Sequence, residues 1–501
     1  MKKMTIGLSA LLSITFTFAQ TNVTETNQTG KNNEIETLQK GSKNSLMITQ
    51  DGDLNKSEVK QGTEGTLAEN GMIDQTQTGN DNSVYVIQQG NLNKVNQNQL
   101  GSFNTAEAYQ YSNILESEIT QTQIGSNNRV IATQGTDELF FENSKNTIVQ
   151  SQNGEFNTVE ANQSSNDGQQ SIVQNQEGEF NHAEASQESF FGSNNIIDQK
   201  QNGENNRAEA TQSEGHFTKN SIVQYQKGAD NIMEASQSLF RFGFEELKID
   251  QSQIGNQNIA KAIQKNGYAI TQNQTGDFNQ VYAEQNNTTP AIITQNQDGI
   301  KNSATAIQKG KPTGGVMFSN ITQYQKGEDN QTYASLEGRG TINQKQEGLR
   351  NNASVTSLGL NINGIQVQKG NDNKATITNE GYRSSVTQNQ TGDFNETIAI
   401  QSGFFINKIT QTQEGIRNNI EGVQYGEKHL LSQLQQGNEN TITSIQDGFL
   451  NNTSAIQKGD FNTINTTQNG TTNTLTIIQN GTALSAIIKQ EGKGNKAVIS
   501  Q

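Results

Sequence analysis

Apolar residues in this chain come singly, two positions apart, framed by side-chain amides. In residues 152–163, QNGEFNTVEANQ, a two-residue alternation puts Asn157, Val159, Ala161 and Gln163 on one face. Thr158, Glu160 and Asn162 fall on the other. The stretch before it behaves alike, with Asn146, Ile148, Gln150 and Gln152 on one side. Period two is the signature of a half-buried strand. Each strand ends at x-G-x-x, where a glycine such as Gly154 can adopt the positive φ that a tight corner needs.

The pattern repeats. Gln152, Gln163, Gln176, Gln187, Gln201, Gln212, Gln226 and Gln237 are equivalent marks, joined in pairs by Q-x-G-x-x-N-x-h-x-h-x-Q, h being mostly Ala, Val or Ile. One step in each pair is 11 residues; the other varies, 13 from Gln163 to Gln176 and 16 from Gln237 to Gln253. About forty such marks run from Gln28 to Gln501, with Leu336, Ser357 and Asn379 standing where Gln is expected. An 11-residue period also suits a right-handed helical supercoil. A glycine in nearly every unit argues against helix.

Two strands and two corners make a loop of about 22 residues, and stacking such loops predicts an all-β fold, a β-solenoid of about 20 rungs. At roughly 4.8 Å per rung the rod would be on the order of 100 Å long. Small apolar residues would form a thin dry core, and like amides would stack into hydrogen-bonded ladders. A buried amide without a partner costs roughly 1–3 kcal/mol, so a ladder penalises slippage. The candidate structural residues are Gln152, Gly154, Asn157 and Gln163; Gln176, Gly178, Asn181, Ala183 and Gln187; Gln226, Gly228, Asn231 and Gln237; Gln297, Gly299, Asn302, Ala304 and Gln308; and Gln479, Gln490 and Gln501.

Composition changes this picture little. The chain has 501 residues, of which 30% are hydrophobic, with no Trp, no Cys and two Pro. So low an apolar content alone would suggest disorder, but the strict period argues otherwise. A net charge of −15 speaks against nucleic acid as a partner. Residues 1–19 read as a secretory signal peptide, with Lys2 and Lys3 ahead of a short apolar stretch and Ala19 at the cut, leaving 20–501 as one repeat domain without a membrane span. His182, His216 and His429 lack ligand spacing, so catalysis, metal and cofactors are not expected.

Insertions fall at one edge only, after Gln134, Gln212, Gln237 and Gln308, as surface turns tolerate. Phe103, Phe156, Phe180, Phe278, Phe394 and Phe461 precede the corner Asn, either as local packing over the turn or as a lateral contact row.

The unit Q-x-G-x-x-N-x-A-x-x-x-Q resembles the curlin repeat of bacterial curli fibre subunits. Gln176, Gly178, Asn181, Ala183 and Gln187 fit it fully, as do Gln297, Gly299, Asn302, Ala304 and Gln308. The resemblance implies an extracellular functional amyloid of the biofilm matrix, with an outer-membrane secretion channel and a nucleating subunit as partners. The chain departs from curli subunits in its many more repeats, in Asn146 and Asn220 where Ser is usual, and in Gln150 and Gln224 where an apolar residue is usual. With no capping element evident at either end of the repeat, a subunit that polymerises end to end is the expected role. A monomeric solenoid adhesin or surface-binding rod is the alternative; outward Thr147, Thr158 and Thr410 are mixed with Glu, Lys and Asn.

Overall fold

The computed structural model describes residues 21–501 apart from 112–113, 136–142, 166–168, 190–193, 214–218, 239–245, 267, 287–289 and 311–317. The signal-peptide reading at 1–19 and His216 lie outside the described residues, as does most of each of the four insertions. The chain separates into two compact units, Met1–Glu204 with Gln212–Thr218, and Asn205–Thr211 with Lys219–Gln501.

Both units are built alike. In the first, strands Thr147–Glu155, Ser171–Glu179 and Ile196–Glu204 lie side by side and parallel, pairing Gln150 with Gln174 and Gln199, and Gln152 with Gln176 and Gln201. A second parallel sheet joins Arg129–Gln134, Thr158–Ser165 and His182–Ser189, pairing Gln134 with Gln163 and Gln187. The second unit repeats this, with Ala269–Thr275, Ala291–Ile300 and Ser319–Glu328 in one sheet and Gln280–Asn286 with Ser303–Lys309 in the other. Each turn of the coil gives one strand to each sheet. Every unit is therefore a β-solenoid, as the period-two repeat requires. Counted over both, the fold is all-β with about 19 turns of ~23 residues, close to the 20 and 22 expected. The longer average comes from the turns that carry insertions. The first unit has a further small parallel sheet on its variable edge, of two-residue strands from Gly41–Ser42 to Asn143–Ser144. Among the described residues no helix is long and apolar enough to cross a membrane.

The strand alternation sorts the residues as read. Asn146, Ile148, Gln150, Gln152, Asn157, Val159, Ala161 and Gln163 are all buried, whereas Glu160 and Asn162 are exposed. The apolar interior is made of narrow columns, with Val84, Ala106, Val130, Val159 and Ala183 stacked in the first unit and Met233, Ala260, Val281 and Ala304 in the second. Burying a Val or Ile contributes about 1.5–3 kcal/mol. Outward charges pair between turns, as Lys94 with Glu118 at 3.0 Å and Lys374 with Glu396 at 2.9 Å, and such exposed pairs contribute only about 0–1 kcal/mol.

The constant corner has two left-handed residues, not one. Gly154 sits at φ 133° and Phe156, two positions on, at φ 55°. The second site recurs at Lys301, Phe394 and Arg417, with φ between 55° and 57°. Phe103, Phe156, Phe180, Phe278, Phe394 and Phe461 all occupy it, but Lys301 and Arg417 adopt the same φ, so residue type does not mark the conformation. Backbone bonding holds it: the Phe180 N–H donates to Glu155 O of the preceding turn at 3.0 Å. Glycine is needed at the first site for a second reason, since a Cβ on Gly178 would lie 2.1 Å from Gly203 O. Gly178→Ala should therefore lose stability to both backbone strain, about 1–3 kcal/mol, and collision. Gly65→Ala, at φ 96° with open space around it, should lose only the strain. Thermal melts followed by circular dichroism check the difference; equal losses would refute the collision.

Candidate functional site: the amide ladders

Within each unit the inward glutamines form ladders from turn to turn. Gln152 Nε2 donates to Gln176 Oε1 at 3.0 Å, and its other proton goes to Arg129 O on the facing strand at 3.1 Å. Gln152 Oε1 in turn accepts from Gln123 at 3.0 Å. On the second sheet Gln163 donates to Gln187 Oε1 and to Thr147 O, both at 3.0 Å. The second unit keeps the scheme. Gln226 donates to Gln253 at 3.1 Å, Gln237 to Gln264 at 3.0 Å, and Gln297 to Gln325 at 2.7 Å. Gln308 accepts from Gln285 at 3.2 Å, Gln479 donates to Gln501 at 2.8 Å, and Gln490 accepts from Gln468 at 2.8 Å. In each of these amide pairs the donor belongs to the turn earlier in the chain.

The asparagines link glycine corners to the next strand. Asn157 Nδ2 donates to Gly178 O at 2.7 Å, while Asn157 Oδ1 accepts the Asn181 backbone N–H at 3.0 Å. Asn231 and Asn302 bind Gly255 O and Gly327 O in the same way, at 2.7 and 2.8 Å. Gly154, Gly228 and Gly299 are thus acceptors as well as corners, taking bonds from Asn128, Asn206 and Asn279. Ala183 and Ala304 are buried between the amide columns. The structure brings every candidate residue into the stack. Chemically, each column pairs like amides on successive turns.

His429 was legible only as a residue without ligand spacing, yet it is a ladder member. It is buried at a position that Asn407 and Asn451 occupy in the neighbouring turns. Its Nδ1 accepts the Asn451 backbone N–H at 3.2 Å, as an Asn Oδ1 would, and Nε2–H donates to Tyr425 O at 2.7 Å. The neutral imidazole stands in for an amide. Burial holds its pKa below the ordinary imidazole value, against the opposing pull of Tyr425 O and the Asp447 carboxylate.

One ladder is broken where the sequence departs from Gln. With Leu336, Ser357 and Asn379 in the column, Gln308 Nε2, Ser357 Oγ, Asn379 Nδ2 and Gln401 Oε1 are buried without partners. The break is confined to one of the three Gln columns. On the other sheet Gln325, Gln346, Gln368 and Gln390 pass through the same turns at 2.7–3.0 Å.

The family model of the curlin associated repeat matches residues 470–501, which include Gln479, Gln490 and Gln501. The resemblance read from Q-x-G-x-x-N is met there by a curlin repeat in this chain. No curated protein matches the chain. Among the described residues no three His, Asp or Glu side chains cluster as a metal site.

Two outcomes follow from this geometry. The folded His429 pKa is depressed, so its contribution is fully present above the unfolded value of ~6.5 and is lost as pH falls through it toward the folded value. His429→Asn should remove up to ~1.4 kcal/mol of acid sensitivity per pH unit in that window, read as the difference between the two proteins in urea unfolding at pH 7 and 5. Parallel curves would exclude the role. Restoring the column with L336Q, S357Q and N379Q together should raise stability by about 0.5–1.5 kcal/mol per hydrogen bond regained, whereas Gln297→Leu should lower it by about 1–3 kcal/mol.

Proposed function

We propose that this chain is an extracellular structural protein, a curli-like fibre subunit that polymerises end to end in a biofilm matrix, and not an enzyme. One observation carries the reading: the ladders are unidirectional and translational. Each turn bonds to its equivalents above and below, 21 to 29 residues away along the chain, through the same atoms. Nothing in that bonding depends on the two turns belonging to one chain. A turn from a second molecule can be bound as well as one from the first, provided it arrives in register and with the same polarity. Copies would therefore join head to tail.

The curlin repeat supports the same reading and favours an extracellular or cell-surface setting. Residues 1–19 would direct export and be removed, leaving 20–501 as the assembling domain. A nucleating subunit and an outer-membrane secretion channel are the partners that such a route calls for.

The test is electron microscopy of purified 20–501 left to stand, with an amyloid dye and fibre diffraction. Filaments with reflections at about 4.8 and 10 Å are expected. Gln490→Leu and Gln501→Leu combined should slow their growth, because the last turn would lose the amides that an incoming turn would bond. A persistent monomer in analytical ultracentrifugation would overturn the fibre reading and favour the surface-binding rod.

A further inference from the structure

The variable edge of the second unit carries a built apolar trough. The turns after Ser357, Asn379 and Gln401 bring Gly359, Gly381 and Gly403 to its floor. A Cβ on Gly359 would meet Gly381 O at 1.8 Å, and one on Gly403 would meet Gly426 O at 1.8 Å, so no side chain can fill the space. Leu360, Tyr382, Phe404 and Phe405 line the opening, with Glu380 and Ser402 beside them, around a volume of about 480 Å³. The Tyr382 and Phe405 rings meet edge-on at 5.4 Å. Phe404 is 77% exposed, and Leu358 and Ile406 extend the apolar surface on either side. On a chain this polar, a contiguous aromatic surface marks a contact.

The trough spans three successive turns, so its occupant must present apolar groups at the turn-to-turn interval. The opposite, constant edge of the same unit does so. Phe394 and Ile416 stand on successive turns there, 53% and 43% exposed. Between them the Arg417 guanidinium lies 5.8 Å from the Phe394 ring centre. Glu380 at the trough is exposed and has no ion-pair partner among the described residues. Among the described residues the ion-pair partner of Arg417 is Glu439, at 3.6 Å, a surface interaction of about 0–1 kcal/mol that exchanges readily.

We propose that Phe394, Ile416 and Arg417 of one copy seat in this trough of a second copy, with Arg417 paired to Glu380. The stacks share one pitch, so a contact made at one turn is matched at the next. Because the contact joins two different edges it does not close on itself, and it propagates sideways. It is a lateral association, distinct from end-to-end growth, and it rests on the fibre reading only for its multiplication along a filament.

Filament bundling reads it. Arg417→Glu and Glu380→Arg should each lower the fraction of bundled filaments roughly fivefold without changing the rate of dye-detected growth. The double variant R417E/E380R should restore bundling. Unchanged bundling in the single variants, or no recovery in the double, would overturn the contact. Should no filaments form, the fibre reading fails and the contact is read in the soluble chain instead. The chain has no cysteine, so I416C and S402C proteins mixed under oxidation should yield more cross-linked dimer than either alone. Equal yields would overturn the proposal.

Discussion

The structure depends on the requirement that a buried amide have both its donor and its acceptor satisfied. An inward Gln such as Gln152 meets that need by bonding one equivalent Gln above, another below, and a carbonyl across the coil. A slip of one residue would turn the whole inward set to solvent. A slip of two would set Gln150 against Ile172 and Gln163 against Ala185. The parallel sheets, the constant corner and the glycine contacts between turns all follow from keeping like over like.

The apolar core is too thin to impose that register alone. Ala, Val and Ile pack against one another indifferently, as Val159 between Val130 and Ala183 illustrates. Apolar burial supplies attraction without position; the amides supply position. The broken column at Leu336, Ser357 and Asn379 is tolerated because the facing sheet keeps its ladder through the same turns.

Much of this was legible beforehand. Period two assigned Asn157, Val159, Ala161 and Gln163 to the interior, and the 11-residue marks located the ladders and the break. The Phe residues before the corner Asn were visible, but their left-handed φ was not legible, because Phe156 shares that backbone shape with Lys301 and Arg417, which share no chemistry with it. Nor was the role of His429, since its likeness to Asn lies in where two nitrogens point. The trough was hidden for a different reason. It arises from three turns whose glycines look like ordinary corners until they are stacked.

The ladders also set how such a protein ages. Hydrolysis of one inward Gln to Glu replaces a donor of two hydrogen bonds by an acceptor-only carboxylate. Next to Gln176 Oε1 and Arg129 O, a carboxylate at position 152 would face two oxygens and carry a charge into a dry interior. Deamidation at a single inward position is thus a chemical lesion that the neighbouring turns cannot absorb, and the close-packed stack that conceals each amide from water is also its protection against that reaction.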